Sequence, residues 1–377
     1  MLTRAVTALR LLSLSTMTSH WDVVALVSAA SAASSGDGGG GTTSSTSSTT
    51  SSSMSSSRIL RRSGDYNLLE VVPHDTSSFT QGLAYFDGHV YEGTGMEGRS
   101  YVMKHDPTDN MRTLHRVPLM PSHLFGEGIS HYRVWTTDER SGRGHWEDRL
   151  IQLTYTSGVG RIYSLPDMVR LGEFEYGTST GEGWGITYVP HTNEFYVSDG
   201  SEYLMVWDAD TLMEKRRITV TFEAVPGSGK SSRIRYVNEL EFVDYAIVNC
   251  DDVDDTTTPA VGGGGEGTDD DARCEDEGTT CADESIPPFS PSMAILANLW
   301  YQDVLVSINP VSGVINKVYD MRDIYPKDQR EEDGADCLNG ITVTGRKRKS
   351  EEEGLEVWVT GKLWPNMYRI ELSCDHI

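Results

Sequence analysis

Along most of this chain apolar side chains recur at alternate positions, in short runs bounded by Gly, Asp, Asn and Pro. Residues 83–86 and 89–92 make one such pair of runs, separated by Asp87-Gly88. Alternation marks a half-buried β-strand, and Asp-Gly between two runs marks a tight hairpin. Two further strands are predicted at 100–104 and 111–117, joined by a turn at 106–109. The plan returns at 185–189, Glu194–Ser198, 203–207 and 213–220. It returns again at 294–298, Val304–Ile308 and 314–319. Helical periodicity is nearly absent; residues 321–325 read as one short turn.

Superimposed on the strands is a repeated phrase: a polar or aromatic residue, a small one, then an aliphatic one. It reads Gln81-Gly82-Leu83, Glu127-Gly128-Ile129, Trp184-Gly185-Ile186 and Asn339-Gly340-Ile341, with a degraded copy at Asn238-Glu239-Leu240-Glu241. Most steps between phrases are roughly 50 residues, the size of one four-stranded unit. Five units of four strands predict an all-β chain, a five-bladed β-propeller with four-stranded antiparallel blades. The last unit ends after 357–360 and Asn366–Leu372, so its outer strand must come from elsewhere. Residues 68–72, near the front of the domain, are the candidate; that closure ties the termini together and removes an exposed edge. Insertions fall at 138–149, 223–235, 251–290 and 345–354.

Composition adds the segments outside this pattern. The chain is read as a targeting segment over 1–34, a Ser/Thr/Gly-rich disordered linker over 35–62, and a propeller over 63–377 with an acidic disordered insertion at 251–290. The first segment carries Arg4 and Arg10, a broken apolar stretch and no acid before Asp22. It fits a secretory signal or an organellar transit peptide, and secretion is favoured. The linker has too little apolar surface to offset its ordering entropy. No unbroken apolar run has the ~20 residues that span a membrane. Net charge is −24, and the insertion, with 13 acidic residues and one basic, supplies half of it. An acidic chain argues against nucleic-acid binding and mildly favours a monomer. Five cysteines stand at 250, 274, 281, 337 and 374. Their spacing holds no zinc motif, although Cys274 and Cys281 sit close enough to clip the insertion.

In a propeller the first strand of each blade is innermost, and its start faces the mouth of the central channel. The phrases therefore bring Gln81, Glu127, Trp184, Asn238, Glu239 and Asn339 within reach of one another. Phe79, Phe125 and Trp300 flank them, and Lys362 lies in Thr360-Gly361-Lys362-Leu363-Trp364-Pro365. A carboxylate, a lysine, several amides and a ring of aromatics suit a small, specific pocket. Each has a plainer reading: an aromatic as packing, Lys362 as an ion-pair partner of Glu127, Gln81 and Asn238 as backbone partners. Glu127 between two glycines resists the plain reading, because a carboxylate on an innermost strand is costly unless paired or functional. His74, His105 and His123 read as turn or surface residues.

Taken together, Pro73-His74-Asp75, Ser78-Phe79-Thr80-Gln81-Gly82-Leu83, Phe125-Gly126-Glu127-Gly128, Gly183-Trp184-Gly185, Asn238-Glu239-Leu240-Glu241, Ala297-Asn298-Leu299-Trp300, Leu338-Asn339-Gly340-Ile341 and Thr360-Gly361-Lys362-Leu363-Trp364-Pro365 resemble the plant/bacterial-type glutaminyl-peptide cyclotransferases. The likeness runs from about Leu69 to Leu372, broken by the insertions. It implies conversion of an N-terminal glutamine of peptides or proteins to pyroglutamate, with release of ammonia and no metal or other cofactor in the chemistry. By the same resemblance Glu127 is the proton-transfer residue, and Phe79, Gln81, Phe125, Tyr155, Trp184, Asn238, Trp300 and Lys362 form the substrate pocket. Tyr155 is a departure, since the family often has Trp there. The zinc site of the unrelated animal-type enzymes has no counterpart, and a structural ion on the axis is left open. Intramolecular aminolysis suits these residues: aromatic walls hold the curled conformer, and a buried carboxyl moves the proton. Gln81, Asn238 or Lys362 supplies the oxyanion donor. Two rivals remain at this stage: a calcium-dependent lactonase-type hydrolase using Glu127, Asn238, Glu239 and Asn339 as ligands, and a binding propeller without chemistry.

Overall fold

The computed structural model describes residues 61–138, 142–223, 229–245, 293–348, 350 and 353–373. The proposed targeting segment, the linker up to residue 60 and the acidic insertion lie outside them. The chain enters through β1 (Arg61–Arg62) and β2 (Tyr66–Pro73). Blade 1 is β3 (Thr80–Phe86), β4 (His89–Thr94), β5 (Tyr101–Asp106) and β6 (Arg112–Pro118). Blade 2 is β7 (Gly126–Thr137), β8 (Gly144–Thr154), β9 (Val159–Ser164) and β10 (Arg170–Glu175). Blade 3 is β11 (Ile186–Val189), β12 (Glu194–Ser198), β13 (Tyr203–Asp208) and β14 (Glu214–Thr219), followed by the small hairpin β15 (Thr221–Phe222) and β16 (Ser232–Arg233). Blade 4 is β17 (Val237–Asp244), β18 (Met293–Leu299), β19 (Val304–Ile308) and β20 (Ile315–Asp320). After helix α1 (Lys327–Asp333), blade 5 is β21 (Leu338–Val343), β22 (Leu355–Gly361) and β23 (Asn366–Leu372). Its fourth strand is β2, antiparallel to β23 with Leu68 opposite Ile370 and Val72 opposite Met367. The expected five-bladed propeller with its N-terminal closing strand is present.

Side-chain alternation explains the layering. The outermost strand β6 is exposed along almost its whole length, whereas β4 is buried after its first residue. Each interface between blades has its own apolar cluster, and the five together close the ring. Leu83 and Val90 of blade 1 meet Val72, Trp358 and Met367 of blade 5. Ile186, Phe195 and Val197 of blade 3 meet Tyr132, Ile151 and Leu153 of blade 2.

The repeated phrase has a physical cause. Neighbouring innermost strands approach backbone to backbone at its central residue. A Cβ on Gly82 would lie 2.8 Å from the nitrogen of Ile129, and one on Gly185 only 2.1 Å from the carbonyl oxygen of Asn238. Glycine is therefore required where the strands crowd the axis. The degraded copy places Glu239 in this register. Its carboxylate crosses the hub and accepts the N–H of Leu83 at 3.1 Å and of Ile341 at 2.8 Å. Three positions after the first phrase residue, a second belt forms. Ser130 Oγ accepts Tyr188 N–H, Thr187 Oγ1 accepts Phe242 N–H, and Glu241 Oε1 accepts Val343 N–H, each on the next blade.

Four expectations need correction. Of residues 138–149, read as a loop insertion, 144–149 are strand: β7 and β8 run on as a two-stranded arm, with Trp135 opposite Trp146. Residues 223–235 contribute β16 to the small hairpin. Helix α1 follows the expected turn at 321–325 and was not anticipated. The side chains of His74 and His105 are buried, flanking Glu92, whose oxygens each lie 3.1 Å from one Nε2.

Candidate active site

The pairing between first and second strands skips a step at the phrase in four blades. The shifts fall between Thr80 and Gly82, Gly126 and Ile129, Val237 and Leu240, and Leu338 and Ile341. Such bulges release residues from the ladder and re-aim their side chains. Gln81, Glu127, Asn238 and Asn339 occupy these positions. In blade 3 the strand begins only at Ile186, and Trp184 stands just before it.

All of these but Asn339 open into a cavity of about 580 Å³. Gln81, Phe125, Glu127, Tyr155, Trp184, Asn238, Trp300 and Lys362 all line it. Phe79 stands behind this lining, edge-on to Phe125 at 6.1 Å between ring centroids and under Lys362, whose Nζ is 5.0 Å from its ring centre. One wall continues from Phe125 to Tyr155, 5.8 Å apart. The other is Trp184 against Trp300 at 5.4 Å, backed by Tyr236 at 6.1 Å.

Glu127 is buried at the base of this funnel, and its Oε1 accepts a 3.0 Å hydrogen bond from Gln81 Nε2. Asn339 Nδ2 in turn donates to Gln81 Oε1 and to the carbonyl oxygen of Thr80, which fixes the Gln81 amide. Burial pushes the Glu127 carboxyl well above the usual carboxylate range; the Lys362 charge pulls it part of the way back, and the Glu182 charge pushes it up again. Lys362 is set by its backbone: its N–H donates to the carbonyl of Cys337, and its own carbonyl accepts from Asp336 N–H.

The sequence reading missed Glu182, Tyr236, Glu97 and Arg235, which also line the cavity. Glu182 is the most connected of them. Its Oε1 accepts from the Tyr155 hydroxyl at 2.9 Å, and its Oε2 accepts from Trp184 Nε1 at 2.9 Å. A signal was available, since residues two apart on an extended chain share a face, and Glu182 stands two before Trp184. His123, read as a loop residue, also borders the cavity.

Part of the lactonase-type ligand set is otherwise engaged, although Asn339 Oδ1 has no hydrogen-bond partner among the described residues. Both Glu239 oxygens accept backbone N–H groups, and Asn339 serves Thr80 and Gln81. Among the described residues no group of three or more His, Cys, Asp or Glu is placed to hold a metal ion.

Fold and site together define a propeller enzyme with a buried carboxyl among aromatic walls. Comparison with known proteins gives the family. The glutamine cyclotransferase family profile matches residues 42–250 and 291–372, and the chain belongs to that family. It is similar to a glutaminyl-peptide cyclotransferase of Arabidopsis thaliana, 24% identical over 318 residues, covering 81% of this chain and 72% of the relative. In fold it resembles the crystal structure of Myxococcus xanthus glutaminyl cyclase, with a TM-score of 0.52 and 21% identity, covering 82% of this chain and 96% of the other. The enzyme class is accordingly that of a glutaminyl cyclotransferase.

Proposed function

We propose that the substrates are peptides and proteins with an N-terminal glutamine, and that Glu127 carries the proton. The observation that supports this most directly is the placement of a buried, high-pKa carboxyl, hydrogen-bonded to Gln81, beneath aromatic walls. Between Phe125, Trp184 and Trp300 a glutamine side chain curls back toward its own amine, and holding that conformer removes much of the entropic barrier. The α-nitrogen bonds to the side-chain amide carbon while Glu127, ionised, takes one of its protons. Glu127 then returns that proton to the amide nitrogen. The carbon–nitrogen bond of the side chain breaks, and ammonia leaves. A carboxyl tuned toward neutrality suits both halves. Asn238, Lys362 and the second N–H of Gln81 Nε2, whose first is held by Glu127, are assigned the developing oxyanion.

No metal or other cofactor enters this route, so activity is expected to survive EDTA. The acidic charge supports a monomer, and the Arg-bearing apolar start of the chain supports secretion. The decisive test incubates the protein with a Gln-initiated peptide and follows peptide mass and free ammonia. Loss of one ammonia per peptide supports the proposal; unchanged peptide with retained binding supports the non-catalytic propeller instead.

A further inference from the structure

Glu182 is placed to shape this site without taking part in bond making. It borders the cavity, and each of its two oxygens holds a different wall residue: the Tyr155 hydroxyl and the Trp184 indole N–H, both at 2.9 Å. The loop carrying it is fixed independently. Thr178 Oγ1 donates to the Glu182 carbonyl, Glu182 N–H donates to Thr180 Oγ1, and Thr180 N–H donates to Asp199 Oδ2. The carboxylate is thus presented in one place, between an aromatic from blade 2 and one from the mouth of blade 3.

We propose that Glu182 is a positioning residue for the cyclisation: it ties Tyr155 and Trp184 into one rigid wall and presents a fixed negative charge to Glu127. The inference rests on Glu127 as the proton carrier. Two consequences separate the roles. As a tie, Glu182 keeps the walls set for a curled glutamine, where small displacements are costly in rate. As a charge, it opposes ionisation of Glu127 and keeps the proton on it to higher pH. Lys362 faces the same carboxyl with the opposite effect, and the phenols of Tyr155 and Tyr176 lie within its field. The other charged or titratable groups around the cavity are Glu97, His123, Asp199, Arg235 and Tyr236. Glu182 is the one carboxylate whose charge adds to burial in holding Glu127 protonated.

The test compares kcat/KM against pH for wild type, Glu182→Gln, Glu182→Ala and Tyr155→Phe, on one Gln-initiated peptide. The substrate amine titrates identically in all four, so any difference in the acid limb belongs to the enzyme. Glu182→Gln removes the charge and keeps an acceptor; its acid limb is expected to move down in pH, with turnover at the optimum reduced less than in Glu182→Ala. Tyr155→Phe removes one tie and leaves the charge, so its acid limb stays where wild type has it. An unmoved acid limb in a folded, active Glu182→Gln protein overturns the inference. So does equal turnover of Glu182→Ala and wild type. A wild-type protein that releases no ammonia instead defeats the assignment of function, and the two failures are distinguishable in one experiment. Should Glu182→Ala fail to fold, the contrast between Glu182→Gln and Tyr155→Phe decides alone.

Discussion

At the scale of single residues, the site is a contest over one proton. Burial is the largest influence raising the Glu127 pKa; Lys362 favours the ionised form and Glu182 the neutral one. Glu127→Gln preserves size and the Gln81 contact but carries no transferable proton. It is expected to fold with the thermal midpoint unchanged or raised, and to lose at least ~100-fold in kcat, the usual scale for an acid/base group. Near-normal turnover in that folded variant would falsify the role. Lys362→Met removes a charge that favours ionisation, so the acid limb of kcat/KM should move up in pH, opposite to Glu182→Gln. Measured side by side, two shifts of the same sign would contradict the electrostatic picture. Phe79, behind Phe125 and beneath Lys362, is expected to act through them: Phe79→Leu should lower kcat by disturbing Lys362 more than it raises KM.

At the scale of elements, the phrase with its central glycine is the part of the fold most legible from sequence. Strand crowding at the hub demands glycine there, so the backbone constraint is written into residue type. Gly185→Ala should lower stability by about 1–3 kcal/mol, the range for overpacking, read as a drop in the urea midpoint. The site was legible for the same reason: its side chains flank these glycines, and bulges turn them to a common mouth. Glu182 was less legible because its importance lies in contacts with Tyr155 and Trp184, and the first of these links two blades. The β7–β8 arm was misread because its tip is rich in Asp, Glu, Arg and Gly, the composition of a loop. What makes it a strand pair is the cross-strand contact of Trp135 and Trp146, rings 5.2 Å apart edge to face, with the Arg133 guanidinium 5.4 Å from the Trp146 ring centre. Both tryptophans are 53% exposed, so the pair stabilises the arm locally and adds nothing to the blade core. Trp135→Ala should speed amide exchange throughout the arm while leaving turnover unchanged. Helix α1 was hidden because its seven residues, Lys327–Asp333, carry only Arg330 inward and so show no apolar stripe.

At the scale of the whole molecule, closure of the ring and the charge state of its hub set an unusual pH dependence. Three carboxyls on the innermost strands, the buried Glu127 and Glu239 and the half-buried Glu241, have folded pKa values raised above 4.5 by loss of solvation, Glu241 to about 7. For each, the native state binds more protons than the unfolded chain between 4.5 and its folded value. Their contribution to stability is complete below 4.5 and is lost as pH rises through the folded value. The closing strand adds a second dependence. His74, directly after β2, contacts Glu92 of blade 1, which also accepts from Thr80 Oγ1 at 2.7 Å and contacts His105. Burial opposes both charges, but the contacts prevail: Glu92 is lowered from 4.5 and His74 raised from 6.5. Glu92 therefore stabilises above 4.5, with the contribution lost as pH falls through its folded value. His74 stabilises below 6.5, with the contribution lost as pH rises through its folded value. The two overlap on a plateau between 4.5 and 6.5. Despite its acidic composition, the domain should thus be more stable near pH 5 than near pH 8. Glu241→Gln keeps the acceptor for Val343 N–H and removes the half-buried charge. In urea titrations it should gain up to about 3 kcal/mol over wild type at pH 8, from a shift of the size cited for Glu241, and the gain should vanish near pH 4.5. His74→Gln should instead lose stability at pH 5.5 and show a flatter profile above 6.5. A wild-type profile that climbs from pH 5 to pH 8, with Glu241→Gln parallel to it, would mean that these carboxyls are hydrated in the folded protein and that the hub is wet.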